Sequence, residues 1–307
     1  MNSPEIVLIL HRGGLGDFIQ AIPSLKWLYE KASHNKYKLY VPIYLLDFFK
    51  ALFPNQYVKS LLDAEKEVTR DDSVVALSEY PNSMSMHTAH LYNIFFCNRL
   101  LTPIENSLPV YNPGSDLNKF KLPERYAVIV GTYTEPIRRI MPSEYAKITR
   151  FLKEKGIEPV IVGKKKNYFT KGLNRKATRM GSFTNCMDLI DKTTIEELLT
   201  LMHGAEMIIG PDSGPLHLAG LTERPIIGAF NVADPEHRMP YRNGFKKWSF
   251  YTVIPDKGLE CRFCQSNCKM ELGIEFNKCR YSHEDCLPQL SGEKFIERIK
   301  EVLNSNH

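Results

Sequence analysis

The chain has 307 residues, of which 43% are apolar and 24% are charged, so it can form one large or two ordinary domains with a sizeable core. No apolar run approaches the ~20 residues of a membrane span, and the N-terminus lacks the basic segment of a signal peptide, so we expect a cytoplasmic protein. A net charge of +5 favours an anionic substrate, or contact with the inner face of a membrane, but is too weak to indicate nucleic-acid binding.

The first part of the chain alternates short apolar runs with amphipathic ones. Residues 5–10 predict a strand, the glycine-rich turn HRGGLGD follows, and a helix begins near Asp17. Pro23 predicts a kink or a restart of this helix. This alternation, which continues along the chain, predicts a parallel α/β unit. The elements predicted next are a strand at 38–41, a helix at 45–52 and a strand at 73–77.

A linker rich in Pro, Asn, Gly and Lys at residues 108–124 separates this unit from a second one. We therefore predict two doubly wound domains that face a cleft, over residues 1–115 and 124–290, followed by an amphipathic helix at 291–304. The elements predicted for the second domain are strands at 126–131, 158–162 and 207–210 and helices at 143–155 and 193–203.

The turn GGLGD after the first strand carries the first chemical signal. Its spacing departs from the dinucleotide fingerprint GxGxxG, which disfavours a nicotinamide cofactor. Asp17 follows the carboxyl end of the strand near a helix N-terminus, where the ionised form is favoured and can accept a proton or hold a cation. A lone aspartate at such a place is most often only an N-cap.

The turn GPDSGPLHLAG, residues 210–220, carries the second signal because it starts a helix directly after an apolar strand. Asp212 and Ser213 stand where an N-cap belongs, and Gly214 lets a ligand approach the backbone. Pro215 is tolerated in a first helical turn, and the unpaired N–H groups of such a helix start can bind phosphate. Taken alone, the same pattern also describes an ordinary capped helix.

Five of the seven cysteines lie between residues 261 and 286, in an irregular spacing that begins with CxxC. In a cytosolic chain this clustering indicates either a structural metal site, with zinc as the candidate metal, or free thiols and labile disulfides. The candidate ligands are Cys261, Cys264, Cys268 and Cys279, with His283 as a further one.

Together the two turns resemble glycosyltransferase family 9, the ADP-heptose lipopolysaccharide heptosyltransferases. The resemblance rests on GLGDFIQAIPSLKWL, on PDSGPLHLAGLTERPIIGAFNVADP and on the tail CLPQLSGEKFIERI, and it is weak over residues 33–121. It implies a GT-B fold of two Rossmann-like domains, with the acceptor on the first and the nucleotide-sugar on the second. It also implies sugar transfer with inversion, without a metal for the chemistry, and a helix at 291–304 that returns to the first domain.

The resemblance assigns roles to individual residues. Asp17 matches the general base of the family, beside an acceptor-side loop that contains Gly14 and Gly16. The arginine assignment is open, because the family's usual lysine is replaced by two neighbouring arginines. The residues expected to contact the donor are Arg139, Arg138, Asp212, Ser213, Gly214 and His217 at the diphosphate and Glu196 near the ribose.

The family implies a nucleotide-sugar such as ADP-heptose as donor and a lipopolysaccharide-core-like or other anionic glycan or glycolipid as acceptor, with peripheral membrane contact. Two alternatives stay open: a GT-B nucleotide-sugar epimerase and a transferase that acts on modified nucleic acid. A binding protein whose cysteine segment engages nucleic acid is disfavoured, because that segment lacks interleaved basic and aromatic residues.

Overall fold

The computed structural model describes residues 6–10, 14–31, 37–54, 56–69, 73–76, 108–165, 178–179, 183–242, 250–267, 279 and 282–305. These residues form two α/β units, each built on a parallel sheet. Within these ranges, no helix has the length and apolar character needed to cross a membrane.

The first unit holds a parallel sheet in which the first strand lies in the interior. The elements are β1 (Ile6–Ile9), α1 (Leu15–Lys31), β2 (Tyr37–Val41), α2 (Leu46–Leu52), β3 (Tyr57–Ser60), α3 (Leu61–Glu67) and β4 (Ser73–Ala76). The strand order is β3-β2-β1-β4. Strand β3 and helix α3 were not predicted, because YVKS is too short and too polar to signal a strand.

Helix α1 fixes the first glycine turn against this sheet. Phe18, Ile19, Ile22 and Leu25 recur at helical spacing and are fully buried. The helix continues through Pro23, so the predicted restart at this proline does not occur. Burying one large apolar side chain contributes about 1.5–3 kcal/mol. Four of them outweigh the roughly 3 kcal/mol that an internal proline costs a helix.

The second unit holds a larger parallel sheet in the order β12-β11-β10-β5-β7-β9, while β6 and β8 form a separate antiparallel pair. Its strands are β5 (Tyr126–Val130), β6 (Thr132–Tyr133), β7 (Glu158–Val162), β8 (Thr178–Arg179), β9 (Met187–Asp188), β10 (Ile208–Pro211), β11 (Ile226–Ala229) and β12 (Phe250–Val253). Its helices are α4 (Pro142–Glu154), α5 (Ile195–Gly204), α6 (Gly214–Leu218), α7 (Pro235–Arg238), α8 (Cys264–Asn267) and α9 (Gly292–Ser305).

The strand order reverses between β5 and β10, which are neighbours in the sheet. Connections on the two sides of such a switch point leave in opposite directions and open a crevice at the carboxyl ends of the strands. The DSG turn follows β10, and the turn with the paired arginines comes after β5. The topology therefore brings these two segments to one crevice.

Helix α9 packs on the second unit. Phe295, Ile299 and Val302 form its buried face and share a core cluster with Tyr145 and Ile148 of α4. The sequence predicted that this helix returns to the first domain, whereas the structure places it against α4. The correction has a packing reason, because the apolar stripes of α4 and α9 bury each other.

The linker is held by both units. The N–H of Leu108 donates to the carbonyl of Tyr241 at 2.7 Å, and the N–H of Tyr111 donates to the carbonyl of Leu221 at 2.9 Å. The ring of Tyr111 packs edge-on against Phe48 of α2, with 6.0 Å between the ring centroids. The linker therefore forms a strap that contributes to the contact between the units.

Candidate active site

Three cationic or polar side chains surround the carboxylate of Asp212, which directly follows β10. Arg138 approaches from the segment after β5, with Nη1 3.1 Å from Asp212 Oδ2. Arg238 approaches from α7, with Nε 3.6 Å from the same oxygen. His217 of α6 places Nε2 3.1 Å from the other oxygen, Oδ1. These four residues are called the Asp212 cluster below.

Asp212 is ionised even though its side chain is only 3% exposed. Burial by itself raises the pKa of this carboxyl, but the charges of Arg238 and Arg138 and the hydrogen bond from His217 outweigh burial and hold the pKa well below its usual range. An ionised carboxylate can only accept hydrogen bonds, so the hydrogen between it and His217 lies on Nε2 of the imidazole.

Ser213 occupies the predicted N-cap position of α6, but its side chain makes no capping hydrogen bond. Its Oγ is buried and has no hydrogen-bond partner within the described part of the chain. A buried hydroxyl costs free energy when it is unpaired, so this atom is suited to bind a group that the structure does not contain.

The two neighbouring arginines point in different directions. Besides Asp212, Arg138 faces Glu135, with 2.9 Å between Nε and Oε2. Arg139 instead pairs with Glu284 in the C-terminal segment at 2.8 Å. The structure therefore brings Arg138 into the Asp212 cluster and pairs Arg139 with Glu284, a choice that the sequence left open.

The two glycine turns meet where α1 contacts α6. A side-chain carbon at Gly16 would lie 2.6 Å from Cδ2 of His217, and one at Gly214 would lie 2.8 Å from Cβ of Leu15. Real Cβ atoms do not approach other atoms so closely, so this contact requires glycine at both positions.

Gln20 links the two units through His217. It lies one helical turn after Gly16, is fully buried, and places its amide 3.3 Å from Nε2 of His217. Sequence reasoning missed Gln20, and its four-residue spacing from Gly16 is the signal that could have found it.

Asp17 lies in the first turn of α1, directly after Gly16. Its Oδ2 accepts a hydrogen bond from the N–H of Gly14 at 2.7 Å, so the carboxylate closes the turn that leads into the helix. Asp17 and both loop glycines thus belong to the segment of the first unit that contacts α6. The predicted base and the predicted diphosphate-binding turn are brought to one boundary between the units.

Glu196 is the predicted site residue that lies beside the linker. The pKa of Tyr111 is raised, first by burial and then by the negative charge of Glu196. Glu197, its neighbour, forms a capping box with Thr194, which confirms the predicted start of this helix. Glu197 also pairs with Lys119 of the linker, so both glutamates lie beside the linker, and Glu197 in addition caps α5.

Arg242 binds backbone carbonyls that follow α6 and is not part of the Asp212 cluster. Its buried guanidinium donates to the carbonyls of Ala219 at 2.8 Å, Gly220 at 3.3 Å and Arg224 at 3.2 Å. Burial lowers the pKa of Arg242 to about 10, so the group remains charged at neutral pH. It satisfies carbonyls that follow a short helix, which stabilises the turn that carries His217.

The predicted metal site is not assembled among the residues that the structure describes: in those ranges, no group of three or more His, Cys, Asp or Glu is placed to hold a metal ion. Cys268, one of its four predicted ligands, lies outside the described residues. Cys261, Cys264 and Cys279 are free thiols, and His283 pairs with an aspartate. A structural metal at this segment therefore stays a prediction.

Two parallel α/β units meet at the turns that follow their strands, with a carboxylate on one side and an arginine-rich crevice on the other. This architecture is that of the GT-B glycosyltransferases, as the sequence predicted. The chain belongs to glycosyltransferase family 9 (heptosyltransferase), whose family model matches residues 108–263, about half of the chain.

Relatives and solved structures agree with this assignment. The chain is 23% identical over 327 aligned positions to lipooligosaccharide heptosyltransferase 2 of Campylobacter jejuni subsp. jejuni serotype O:2, covering 95% of this chain and 97% of that protein. Its fold is similar to E. coli ADP-heptose lps heptosyltransferase II, with a TM-score of 0.67, 14% identity, and coverage of 98% and 99% of the two chains. It is also similar to the dodecameric iron-containing heptosyltransferase TibC of enterotoxigenic E. coli in complex with ADP-D-β-D-heptose, with a TM-score of 0.71, 14% identity, and coverage of 99% and 77%.

The close approach of α1 and α6 predicts the effect of Gly16→Ala. The new methyl group would clash with the imidazole ring of His217, so α1 and α6 must move apart. A displacement of about 1 Å at a catalytic site can lower the rate about 100-fold. Overpacking costs about 1–3 kcal/mol and replacing a helical glycine by alanine regains about 1 kcal/mol, so the net loss of stability should be about 0–2 kcal/mol.

Turnover and thermal unfolding of the purified variant measure these two effects. Gly258→Ala is the matched control, because a side-chain carbon there meets nothing within 4 Å. Wild-type turnover in Gly16→Ala would show that the contact between the two glycine turns does not matter for catalysis.

Proposed function

We propose that the protein transfers heptose from ADP-heptose, with inversion at the anomeric carbon, to a hydroxyl of a lipopolysaccharide-core-like acceptor. The observation that carries the proposal is the direct contact between α1, which bears Asp17, and α6, which bears His217 of the Asp212 cluster. A single-displacement transfer needs a base on one side of the reacting carbon and a site for a departing diphosphate on the other.

The names of the relatives support heptose as the sugar. The Campylobacter protein that aligns over nearly the whole chain is a lipooligosaccharide heptosyltransferase, and TibC was solved with ADP-D-β-D-heptose. The mildly basic balance of the chain fits an acceptor that carries acidic or phosphate groups, presented at the inner face of a membrane.

Asp17 acts as the general base in this proposal. The acceptor hydroxyl attacks the anomeric carbon, its proton passes to the carboxylate, and the bond between that carbon and the diphosphate oxygen breaks. The hydrogen bond from the N–H of Gly14 fixes one carboxylate oxygen and thereby orients the other. Inversion follows because attack and departure occur on opposite faces of the sugar.

Arg138, Arg238 and the hydroxyl of Ser213 stabilise the departing ADP. The arginines supply charge-assisted hydrogen bonds to the growing negative charge, and the buried Ser213 Oγ can donate to a phosphate oxygen. Asp212 was expected to hold the diphosphate itself, but an ionised carboxylate repels an anion. Its contacts give it a different part in the proposal, which is to orient both arginines and His217.

A thermal-shift panel of nucleotides and nucleotide-sugars tests the donor. ADP and ADP-heptose at 100 times their dissociation constants should each add about 2.7 kcal/mol of stability, while UDP- and GDP-sugars at the same concentrations should add much less. Transfer of heptose to a deacylated lipopolysaccharide core, followed by mass spectrometry, tests the reaction. Absence of any response to ADP or ADP-heptose contradicts the proposal, and conversion of the donor sugar without an acceptor favours an epimerase instead.

A further inference from the structure

Gln265, in the cysteine-bearing segment, directly contacts the guanidinium of Arg138. The Nη2 group of Arg138 donates to Oε1 of Gln265 at 2.9 Å. The other nitrogens of the same guanidinium face Asp212 at 3.1 Å and Glu135 at 2.9 Å. Each of the three guanidinium nitrogens of Arg138 is thus in contact with a side chain, and among these three partners Gln265 is the neutral one.

Gln265 is itself fixed at the crevice by its backbone. Its N–H donates to the carbonyl of Val232 at 2.7 Å, and the N–H of Phe263 donates to the carbonyl of Asn231 at 2.9 Å. Both acceptors follow β11, next to the strand that leads into Asp212. These bonds anchor the cysteine-bearing segment to the crevice independently of the Gln265 side chain.

Phe263 adopts left-handed backbone geometry, with φ of 56°, although it is a buried aromatic residue. Such a conformation costs about 1–3 kcal/mol and persists only where the surroundings enforce it. The turn at Phe263 lets the chain present the side chain of Gln265 to Arg138 two residues later. Here the strained residue directly precedes helix α8, which bears the glutamine.

Asn231 connects Cys286 of the C-terminal segment to the arginine-bearing turn. The side chain of Asn231, which is 2% exposed, donates both to the carbonyl of Ile137 at 2.6 Å and to Sγ of Cys286 at 3.2 Å. The backbone immediately before Arg138 is therefore also tied to the C-terminal segment. Separate bonds thus hold the turn and its arginine in one orientation.

We propose that Gln265 is a positioning residue that aims Arg138 at the diphosphate of the donor, so that the cysteine-bearing segment forms part of the donor site. This inference rests on the proposed function for the identity of that anion. A neutral amide suits the task, because it accepts a hydrogen bond from the arginine without neutralising it. A carboxylate at this place would form the same bond and would add a third negative charge beside Asp212 and Glu135.

The experiment compares Gln265→Ala and Gln265→Glu in the full-length protein, with ADP as the probe. Loss of one hydrogen bond to the arginine should weaken ADP binding about 5- to 10-fold in Gln265→Ala. Gln265→Glu keeps the bond but opposes the diphosphate, so it should bind ADP more weakly still. The difference in ADP affinity between Gln265→Ala and Gln265→Glu should become smaller in about 0.5 M salt, because salt screens the charge of the added carboxylate.

Gln289→Ala is the matched control, because Gln289 is another glutamine of the C-terminal part of the chain. Among the contacts described, its side chain accepts a hydrogen bond from the N–H of Asp256 and makes none with Arg138. A second readout does not depend on ADP: the arginine reagent phenylglyoxal should label Arg138 severalfold faster in Gln265→Ala than in the wild type, as measured by peptide mass spectrometry. Wild-type melting temperatures of the variants exclude a failure of folding.

Wild-type ADP affinity in both Gln265 variants overturns the inference. If the wild-type protein itself does not bind ADP, the proposed function fails, and the labelling rate then decides the positioning role alone. Faster labelling of Arg138 in Gln265→Ala supports that role, and an unchanged rate overturns it.

Discussion

Asp17→Asn should lower kcat by about 10²- to 10⁴-fold, the usual contribution of a positioned general base. The asparagine keeps an oxygen that can accept from the N–H of Gly14, so the turn and α1 should fold as in the wild type. ADP affinity and melting temperature should therefore stay close to the wild-type values. Initial rates of heptose transfer measure the loss of kcat, and calorimetric titration with ADP measures whether ADP affinity is retained.

Asp47→Asn is the matched control for this prediction, because Asp47 is an exposed carboxylate in the first turn of another helix of the same unit. It loses the same charge in the same kind of position and should retain full activity. A kcat near that of the wild type in Asp17→Asn would remove Asp17 from the mechanism, and an equal loss in both variants would point to a general effect of charge.

Asp212→Asn should destabilise the second unit by about 3–5 kcal/mol, the typical cost of removing one member of a buried ion pair. The carboxylate is 3% exposed and lies 3.1 Å from Arg138 and 3.6 Å from Arg238, so its replacement removes a negative charge that both guanidinium groups share. His217 also loses the acceptor that fixes the hydrogen on Nε2. Urea unfolding at pH 7, followed by circular dichroism, measures the difference.

The same aspartate predicts a pH dependence. Its pKa in the folded protein is lowered, whereas an unfolded aspartate titrates near pH 3.9. The ion cluster therefore contributes its full stability above about pH 5 and loses it progressively as the pH falls through about 3.9 towards the pKa of the folded protein. The difference in unfolding free energy between the wild type and Asp212→Asn should consequently be constant from pH 7 to about pH 5 and should shrink in more acidic buffer.

Asp256→Asn is the control for Asp212→Asn. Asp256 pairs with Lys294 at 2.7 Å, but its side chain is 72% exposed, and such surface pairs contribute about 0–1 kcal/mol. A loss below about 1 kcal/mol in Asp212→Asn would show that the buried cluster is not a strong ion network. A difference that grows on acidification would contradict the direction of the pKa shift.

Much of the fold followed from local patterns. The strand at residues 158–162 was predicted with its observed bounds, and the helices that begin at 142 and 195 were predicted within two residues of their observed ends. Such elements can be predicted because their apolar residues repeat with the helical or the strand period within a short stretch of sequence. Strand β3 was not predicted, because its four residues include two polar side chains and are too few to show the strand period.

The turns of the site were predicted for the same reason. Glycine, aspartate and serine after an apolar run mark a strand-to-helix turn, and the structure places Asp17 and Ser213 at the starts of α1 and α6. Ser213 lies at the N-cap position of α6, but its side chain makes no capping hydrogen bond, because capping depends on side-chain geometry that residue type does not fix.

The sequence alone determined two parallel α/β units and the two glycine turns, because each of these is written in residues that are close along the chain. Only the tertiary structure decided that Arg138 and not Arg139 reaches Asp212, that Gln265 holds Arg138, and that Gln20 meets His217. The last pair is separated by 197 positions, and Arg138 and Gln265 by 127. Contacts of that range depend on how strands order within a sheet and how two units dock, which no local period encodes.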